Sequence, residues 1–365
     1  MVEKWIDMLH SELKTTVVGS FPLKPFHDVD YEYAPYFNRE KIFSEKEPVV
    51  THPYIPSMAK ALEIQVRAGI DYPCYGQLQD MNLMFLGPLA RKKCGIKIIN
   101  NKAYVVEDLK PPKTSIAQDV LLWANRYRRY FEGVKIPLTG PITLASVSSV
   151  GDKSVLNYPE LIRDLSEIVA KIARDYDKNG AGIITLDEPS LPYATYIGID
   201  SDLIIDCLNK VIKEIKKAIP AIHVCGKLDS TTTEILLETD ALLVDHEFAS
   251  IPENLDAYSK SDLDKYDKII GLGCVVSNID PEKLIEISKG QNWNSVVETK
   301  EEISDFIKKA ANKFGIERLV LDPDCGFGGL KHYIKGELTE NVLLKICYQK
   351  MKNMVDVARD LRKLT

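Results

Sequence analysis

The stretch from Tyr158 to Pro189 reads YPELIRDLSEIVAKIARDYDKNGAGIITLDEP. Leu161, Leu165, Ile168, Val169, Ile172 and Tyr176 recur with the 3.6-residue period, so they share one face of an amphipathic helix. Asn179-Gly180 supplies the left-handed residues that stop it. Gly182–Leu186 then runs apolar without alternation, the pattern of a strand buried on both faces.

The same unit recurs along the chain. Apolar runs at Thr15–Val18, Ile70–Tyr75, Lys135–Thr139, Gly182–Leu186, Ala221–Val224, Ala241–Val244, Ile269–Gly271 and Arg318–Leu321 are each followed by a loop and a helical pattern. Strand and helix repeated in this way predict an α/β chain, a single (β/α)8 TIM barrel over residues 1–365. The alternative is a doubly wound open sheet, but no GxGxxG segment follows an early strand. Two additions to a minimal barrel are expected. The first βα loop is extended, from Phe21 to Pro56, and its Pro, Tyr, Phe and charged residues suit a lid or binding loop. Residues 95–109 alternate apolar and polar around Asn100-Asn101, which reads as a β-hairpin appended outside the barrel.

Composition narrows the partners. The 365 residues carry a net charge of −6, and Lys and Arg are dispersed among Asp and Glu. That argues against a nucleic-acid binder or a membrane-surface protein, which would present a basic face. No apolar stretch approaches the ~20 residues needed to span a bilayer. The N-terminus lacks the charged-then-apolar pattern of a secretory signal. Seven cysteines, an odd number without a dense framework, point to a reducing, cytoplasmic setting.

The strand ends of a barrel converge on one mouth, so ligands distant in sequence can meet there. His223 and Cys225 end the run at Ala221–Val224, Glu247 follows Ala241–Val244, and Cys325 follows Arg318–Leu321. Residues i and i+2 on a strand point to the same side, so His223 and Cys225 can address one ion. All four are zinc-ligand types. Taken alone, His-x-Cys is also what a packing cysteine beside a hydrogen-bonded histidine produces. His246 should face the opposite side from Glu247 and read as structural. Cys74 and Cys274 stand near strand ends as reserve ligands, while Cys94, Cys207 and Cys347 read as packing.

Hydrolytic zinc sites lean on His and carboxylate and keep a place for water. Two thiolates make the metal electron-rich, which suits activation of a bound thiol. A free thiol, with pKa about 8.5, is mostly protonated at neutral pH, and coordination removes that proton. Four ligands also describe a closed structural site. A weak carboxylate ligand that yields to the incoming thiol would open it, and Glu247 is the natural candidate.

These residues resemble the catalytic C-terminal domain of cobalamin-independent methionine synthase. Thr15–Pro22 is similar to that family's opening strand and turn, Gly140-Pro141-Ile142-Thr143 to its third-strand motif, and Leu186-Asp187-Glu188-Pro189 to its fourth. His223-Val224-Cys225, Glu247 and Pro323-Asp324-Cys325-Gly326 match its zinc ligands. The resemblance implies homocysteine methylation at Zn2+. It places the homocysteine carboxylate on Gly19 and Ser20 and the ammonium on Asp187. Without it, Asp187-Glu188-Pro189 is also a plain helix-entry turn.

Three departures stand out. Gln77 replaces a glutamate that the family sets against the amino group. Ala145-Ser146-Val147-Ser148-Ser149 stands where a folate-stacking tryptophan would be. The segment Gly271–Asn278 holds no histidine to act as acid toward the folate nitrogen, and Asn278 aligns with that catalytic position. A folate amine must be protonated as the methyl departs, whereas a methyl on cobalt leaves without a proton donor. The family's N-terminal half is also missing from this reading of the chain. The expectation is therefore a methylcobamide donor, presented by a corrinoid protein. Three alternatives remain. One is transfer to coenzyme M, with Lys24 or Lys227 meeting the sulfonate, and another is a folate-dependent methionine synthase. The third is a zinc-stabilised corrinoid-docking module without turnover.

Overall fold

The computed structural model describes residues 12–24, 55–113, 118–151, 159–290, 292–333 and 337–363. Most of the Phe21–Pro56 segment lies outside the described residues. The strands are β1 (Lys14–Thr15), β2 (Ile96–Ile99), β3 (Lys102–Val105), β4 (Lys135–Thr139), β5 (Ser148–Ser149), β6 (Ile183–Asp187), β7 (Ile219–Val224), β8 (Leu243–Glu247), β9 (Ile269–Val275) and β10 (Leu319–Pro323). Seven of them form a curled sheet in the order β1-β10-β9-β8-β7-β6-β4. Every neighbouring pair in it is parallel.

The run Ile70–Tyr75 forms no strand of its own. It bridges the sheet's two edges, Tyr72 to Thr16 beyond β1 and Cys74 to Lys135 of β4. Tyr72 N–H donates to Thr15 O at 3.1 Å, and Lys135 N–H to Pro73 O at 2.9 Å. Pro73 has no N–H to give, which limits this segment to isolated bridges in place of a ladder.

Helices pack on the outer face. In Pro159–Lys178 the residues Leu161, Leu165, Ile168, Val169, Ile172 and Tyr176 are all buried, and Gly180 takes a left-handed φ of 88° just past the end. Inside the sheet, Ile183, Ile219, Ala221, Leu243, Ile269 and Val320 form a small apolar cluster with Tyr72. Counting on by twos from these residues, Asp187, His223 and Glu247 point to the same interior at the strands' C-terminal ends.

Several strands run further than their apolar runs. β6 continues to Asp187, β8 takes in Asp245, His246 and Glu247, and β10 reaches Pro323. The hydrophobic pattern breaks where polar side chains enter the interior, although the backbone ladder continues. Beside the main sheet, β2 and β3 pair antiparallel around Asn100 and Asn101, whose φ values of 49° and 60° make the left-handed two-residue loop of a tight hairpin. β5 joins β3 in parallel, making that sheet three-stranded. Among the described residues, no helix is long and apolar enough to cross a membrane.

Candidate metal centre

Three of the four expected ligands meet. His223 Nε2 lies 3.1 Å from Cys225 Sγ, and Cys225 Sγ lies 3.5 Å from Cys325 Sγ. The three ligand atoms all fall within 4.8 Å of one another. His223 is buried, while both cysteines are half-buried, so the cluster opens toward solvent on the sulfur side. An imidazole and two thiols at this spacing fit a zinc ion.

The two sulfurs lie within hydrogen-bonding distance of each other. The hydrogen bond from Cys225 holds Cys325 well below the usual thiol range, and the same bond pushes Cys225 up. Burial opposes charge on His223, but Cys225 on one side and Asp245 on the other more than offset it and raise its pKa.

Glu247 stands beside the cluster but outside it. Its Oε1 accepts from Gly226 N–H at 3.3 Å and its Oε2 from Ser250 Oγ at 3.3 Å. Both contacts are longer than an ordinary hydrogen bond to a carboxylate. Gly226 directly follows Cys225, so the carboxylate is tethered one residue from a member of the cluster. Cys74 and Cys274 do not join the group. Cys274 Sγ is turned to Asp322 O at 3.6 Å. His246 packs away from the site and stacks on Tyr258. Its Nδ1 faces Val224 O at 3.2 Å and its Nε2 faces Tyr258 Oη at 2.8 Å. A carbonyl only accepts, so Nδ1 carries the proton and Nε2 accepts from the phenol.

Of the expected substrate residues, Asp187 and Ser20 adjoin the segments that carry the cluster. Asp187 sits opposite His223 in the β6–β7 register. It is buried, and its Oδ1 has no protein partner. Burial pushes its carboxyl up to about 7, with His223 and Lys135 pulling the other way. Gln77 is also buried, with Nε2 unpartnered, in a left-handed conformation at φ 37°. A non-glycine residue held there stores on the order of 1–3 kcal/mol of strain, a cost often met at functional sites. Gln77 borders Gly19, where an added Cβ would lie 2.8 Å from its Oε1. Ser20 Oγ accepts from Gly328 N–H at 3.2 Å, and a Cβ on Gly326 would lie 2.1 Å from that oxygen. Gly326 is thus required for Ser20 to approach the residue after Cys325. Asn278 is exposed near Gly329, on the rim of an open depression shared with Lys283 and Glu298.

Three polar residues that sequence reasoning missed hold this arrangement. Asp324 accepts from the N–H groups of Phe248, Ala249 and Ser250 at 2.9, 2.8 and 2.7 Å, clamping the loop after Glu247 to the one before Cys325. Asn254 donates to Gly226 O at 3.0 Å and Glu247 O at 2.7 Å, joining the β7 and β8 ends. Asp245 approaches the second ring nitrogen of His223, with Oδ1 3.1 Å from Nδ1. The ring is not aligned on the carboxylate, so the contact is within hydrogen-bonding distance but not a well-formed bond. Asp245 Oδ2 also pairs with Lys135 Nζ at 3.0 Å, with both side chains fully buried. Asp245 stands two residues before Glu247 on one strand face, which was the available signal.

The family described as cobalamin-independent synthase, catalytic domain, matches residues 13–360. The methionine synthase of Methanothermobacter marburgensis is 28% identical over 357 residues, covering 95% of this chain and 99% of that protein. That of Pyrococcus furiosus is 28% identical over 312 residues, covering 81% and 79%. Among solved structures, a B12-independent methionine synthase from Shewanella sp. in complex with selenomethionine superposes with a TM-score of 0.64 at 18% identity, covering 97% and 98%. A methyltransferase from Methanosarcina mazei gives 0.57 at 14%, covering 98% of each chain. These two show likeness of fold. The family match across nearly all of the chain makes it a member of the cobalamin-independent methionine synthase family, and an enzyme of methyltransferase type.

Proposed function

We propose that the chain is a zinc-dependent methionine synthase, methylating the sulfur of homocysteine, built as one (β/α)8 methyltransferase domain over residues 1–365 with the 95–109 hairpin inserted. The observation that carries this reading is the convergence of His223, Cys225 and Cys325 with Asp187, whose buried Oδ1 is unpartnered, directly across from His223. The Tyr72 and Cys74 bridges support closure of the curled sheet into a full barrel. The relatives' name, methionine synthase, supports the acceptor.

His223, Cys225 and Cys325 would hold the zinc, with Glu247 as the fourth ligand that yields to the thiol. Zinc supplies a deprotonated substrate sulfur in an electron-rich ligand set. Asp187 receives the substrate ammonium, a charge-assisted pairing that needs an ionised carboxylate. Gln77 adds a neutral hydrogen bond to the amine. Gly19 and Ser20 take the carboxylate, since the Ser20 hydroxyl accepts from Gly328 and keeps its own proton to donate.

The Asp187 assignment predicts a pH dependence. Its carboxyl is raised to about 7, so the anion is lost as pH falls through that value. A nearby divalent cation lowers it, placing the limb at or below about 7. KM for homocysteine should rise on the acid side, and Asp187→Asn should flatten that limb and raise KM at every pH. An unchanged acid limb in Asp187→Asn would remove Asp187 from this role.

The family is described as cobalamin-independent, so a corrinoid donor is a departure that only this chain's own residues support. The Gly271–Asn278 segment has no imidazole to protonate a leaving folate nitrogen, and Asn278 sits exposed on the rim. General acid catalysis contributes about 10²–10⁴-fold, so methyl transfer from methylcobalamin should outrun that from methyltetrahydrofolate by at least about 100-fold. The assay is product methionine from purified, zinc-loaded protein offered each donor separately. Equal rates, or faster folate turnover, would leave the folate-dependent reading in its place.

A further inference from the structure

We propose that Asp245, anchored by the buried cation Lys135, is a positioning residue that holds His223 with Nε2 turned to the metal; this rests on the zinc reading of the site. Asp245 faces His223 in the β7–β8 register. Its two oxygens are divided, Oδ1 at 3.1 Å from His223 Nδ1 and Oδ2 at 3.0 Å from Lys135 Nζ. On the far side of the ring, Nε2 faces Cys225 Sγ at 3.1 Å. The two atoms are within reach but not aligned as a formed bond; a carboxylate only accepts, so the nitrogen it can hold protonated is Nδ1, which leaves Nε2 as the one to bind a metal.

The sheet is shaped to admit this chain of groups. Lys135 starts β4, three places from β8 in the strand order, so its side chain crosses the interior to reach Asp245. Opposite Asp245, β9 carries Gly271, where a Cβ would lie 2.7 Å from Asp245 Cβ. A side chain there would displace the carboxylate. A fully buried ion pair contributes little net stability, because desolvating two charges offsets their attraction, and apolar residues of similar volume would serve folding as well or better. Stability alone is therefore a poor account of Lys135 and Asp245. A carboxylate behind a ligating imidazole fixes the ring's tautomer and raises its basicity toward the metal.

The experiment measures Zn2+ affinity by chelator competition, the Co2+ absorption spectrum and thermal stability for three proteins. These are the wild type, Asp245→Asn, and the double variant Lys135→Met/Asp245→Asn, which removes both buried charges. Asp245→Asn should weaken zinc binding by about 10–100-fold and shift the Co2+ bands. The double variant should recover much of the lost stability while its zinc affinity stays at least about tenfold down. Affinity that returns together with stability would make the pair merely structural and overturn the proposal. Asp245→Asn binding zinc within about twofold of wild type would overturn it equally. So would failure of both variants to fold, which would make the pair a folding element. A wild-type chain without tight zinc binding would sink the zinc site itself, and so is distinguishable from these results.

Discussion

Cys325→Ser should lose tight zinc binding and lower homocysteine methylation by at least about 100-fold, while keeping the fold. Losing an outer-shell partner of a metal ligand already costs about 10–100-fold, and a ligand should cost more. Cys325 lies where the chain leaves β10, with its sulfur 3.5 Å from that of Cys225 and its own pKa held well down. A serine hydroxyl remains protonated at neutral pH, binds as a neutral oxygen, and removes one unit of negative charge from the ligand set. The metal then draws more electron density from the incoming thiolate, so the methyl acceptor weakens along with the metal affinity. Cys325 is half-buried and contributes nothing to the apolar cores, so far-ultraviolet circular dichroism should be unchanged. Cys347→Ser is the contrasting control. Cys347 is fully buried in the core, so its substitution should lower stability and leave zinc content intact. Zinc content by elemental analysis and product methionine by chromatography check both. A serine variant at position 325 that retained stoichiometric zinc and turnover would dismiss Cys325 as a ligand.

The His/Cys cluster was more legible in sequence than the structure that holds it. His223 and Cys225 declare a shared side by their i, i+2 spacing, and Cys325 follows an apolar run in the same position. What patterning misses is polar residues inside the curled sheet. Lys135 looks from its neighbours like an edge residue of a strand, yet it is fully buried against Asp245, 110 positions away. Asp245, His246 and Glu247 end an apolar run in sequence but continue β8 in space. Such positions depend on partners from other strands, which no local periodicity reports. Gly271 and Gly273 on β9 were a usable hint, since glycine inside a strand marks close approach by a neighbour. Added Cβ atoms there would lie 2.7 Å from Asp245 Cβ and 2.6 Å from Asp324 Oδ1. Ser148–Ser149 carries no strand signal at all. Its pairing comes from the exposed edge of the hairpin beside it.

Asp324→Ala should be the most damaging substitution that touches no ligand directly. Its carboxylate is nearly inaccessible and gathers three consecutive backbone N–H groups, from Phe248, Ala249 and Ser250. Charge-assisted hydrogen bonds are each worth about 1.5–3 kcal/mol net, but not all three would be forfeited. Ala249 N–H also reaches Gly273 O at 2.9 Å, and Ser250 is exposed and open to water. Only the N–H of fully buried Phe248 would be stranded, so the expected loss is about 2–3 kcal/mol. In a chain of this size that lowers Tm by roughly 5 °C. The functional loss should exceed what this stability change alone produces, because the clamp is what ties the loop carrying Glu247 to the turn carrying Cys325. Freed from each other, the two lose a common position, and zinc affinity should fall by at least about tenfold at temperatures where the variant is fully folded. Asp324→Asn separates the two effects. Its remaining oxygen can still accept from Phe248 and Ala249, which share Oδ1, so stability should partly return, while the amide nitrogen faces the Ser250 N–H without accepting from it and loosens the clamp there. Calorimetry with zinc titration at 25 °C reads both quantities. Unaltered zinc affinity in the folded alanine variant would mean that Asn254, bonded to both Gly226 O and Glu247 O, aligns the loops without Asp324.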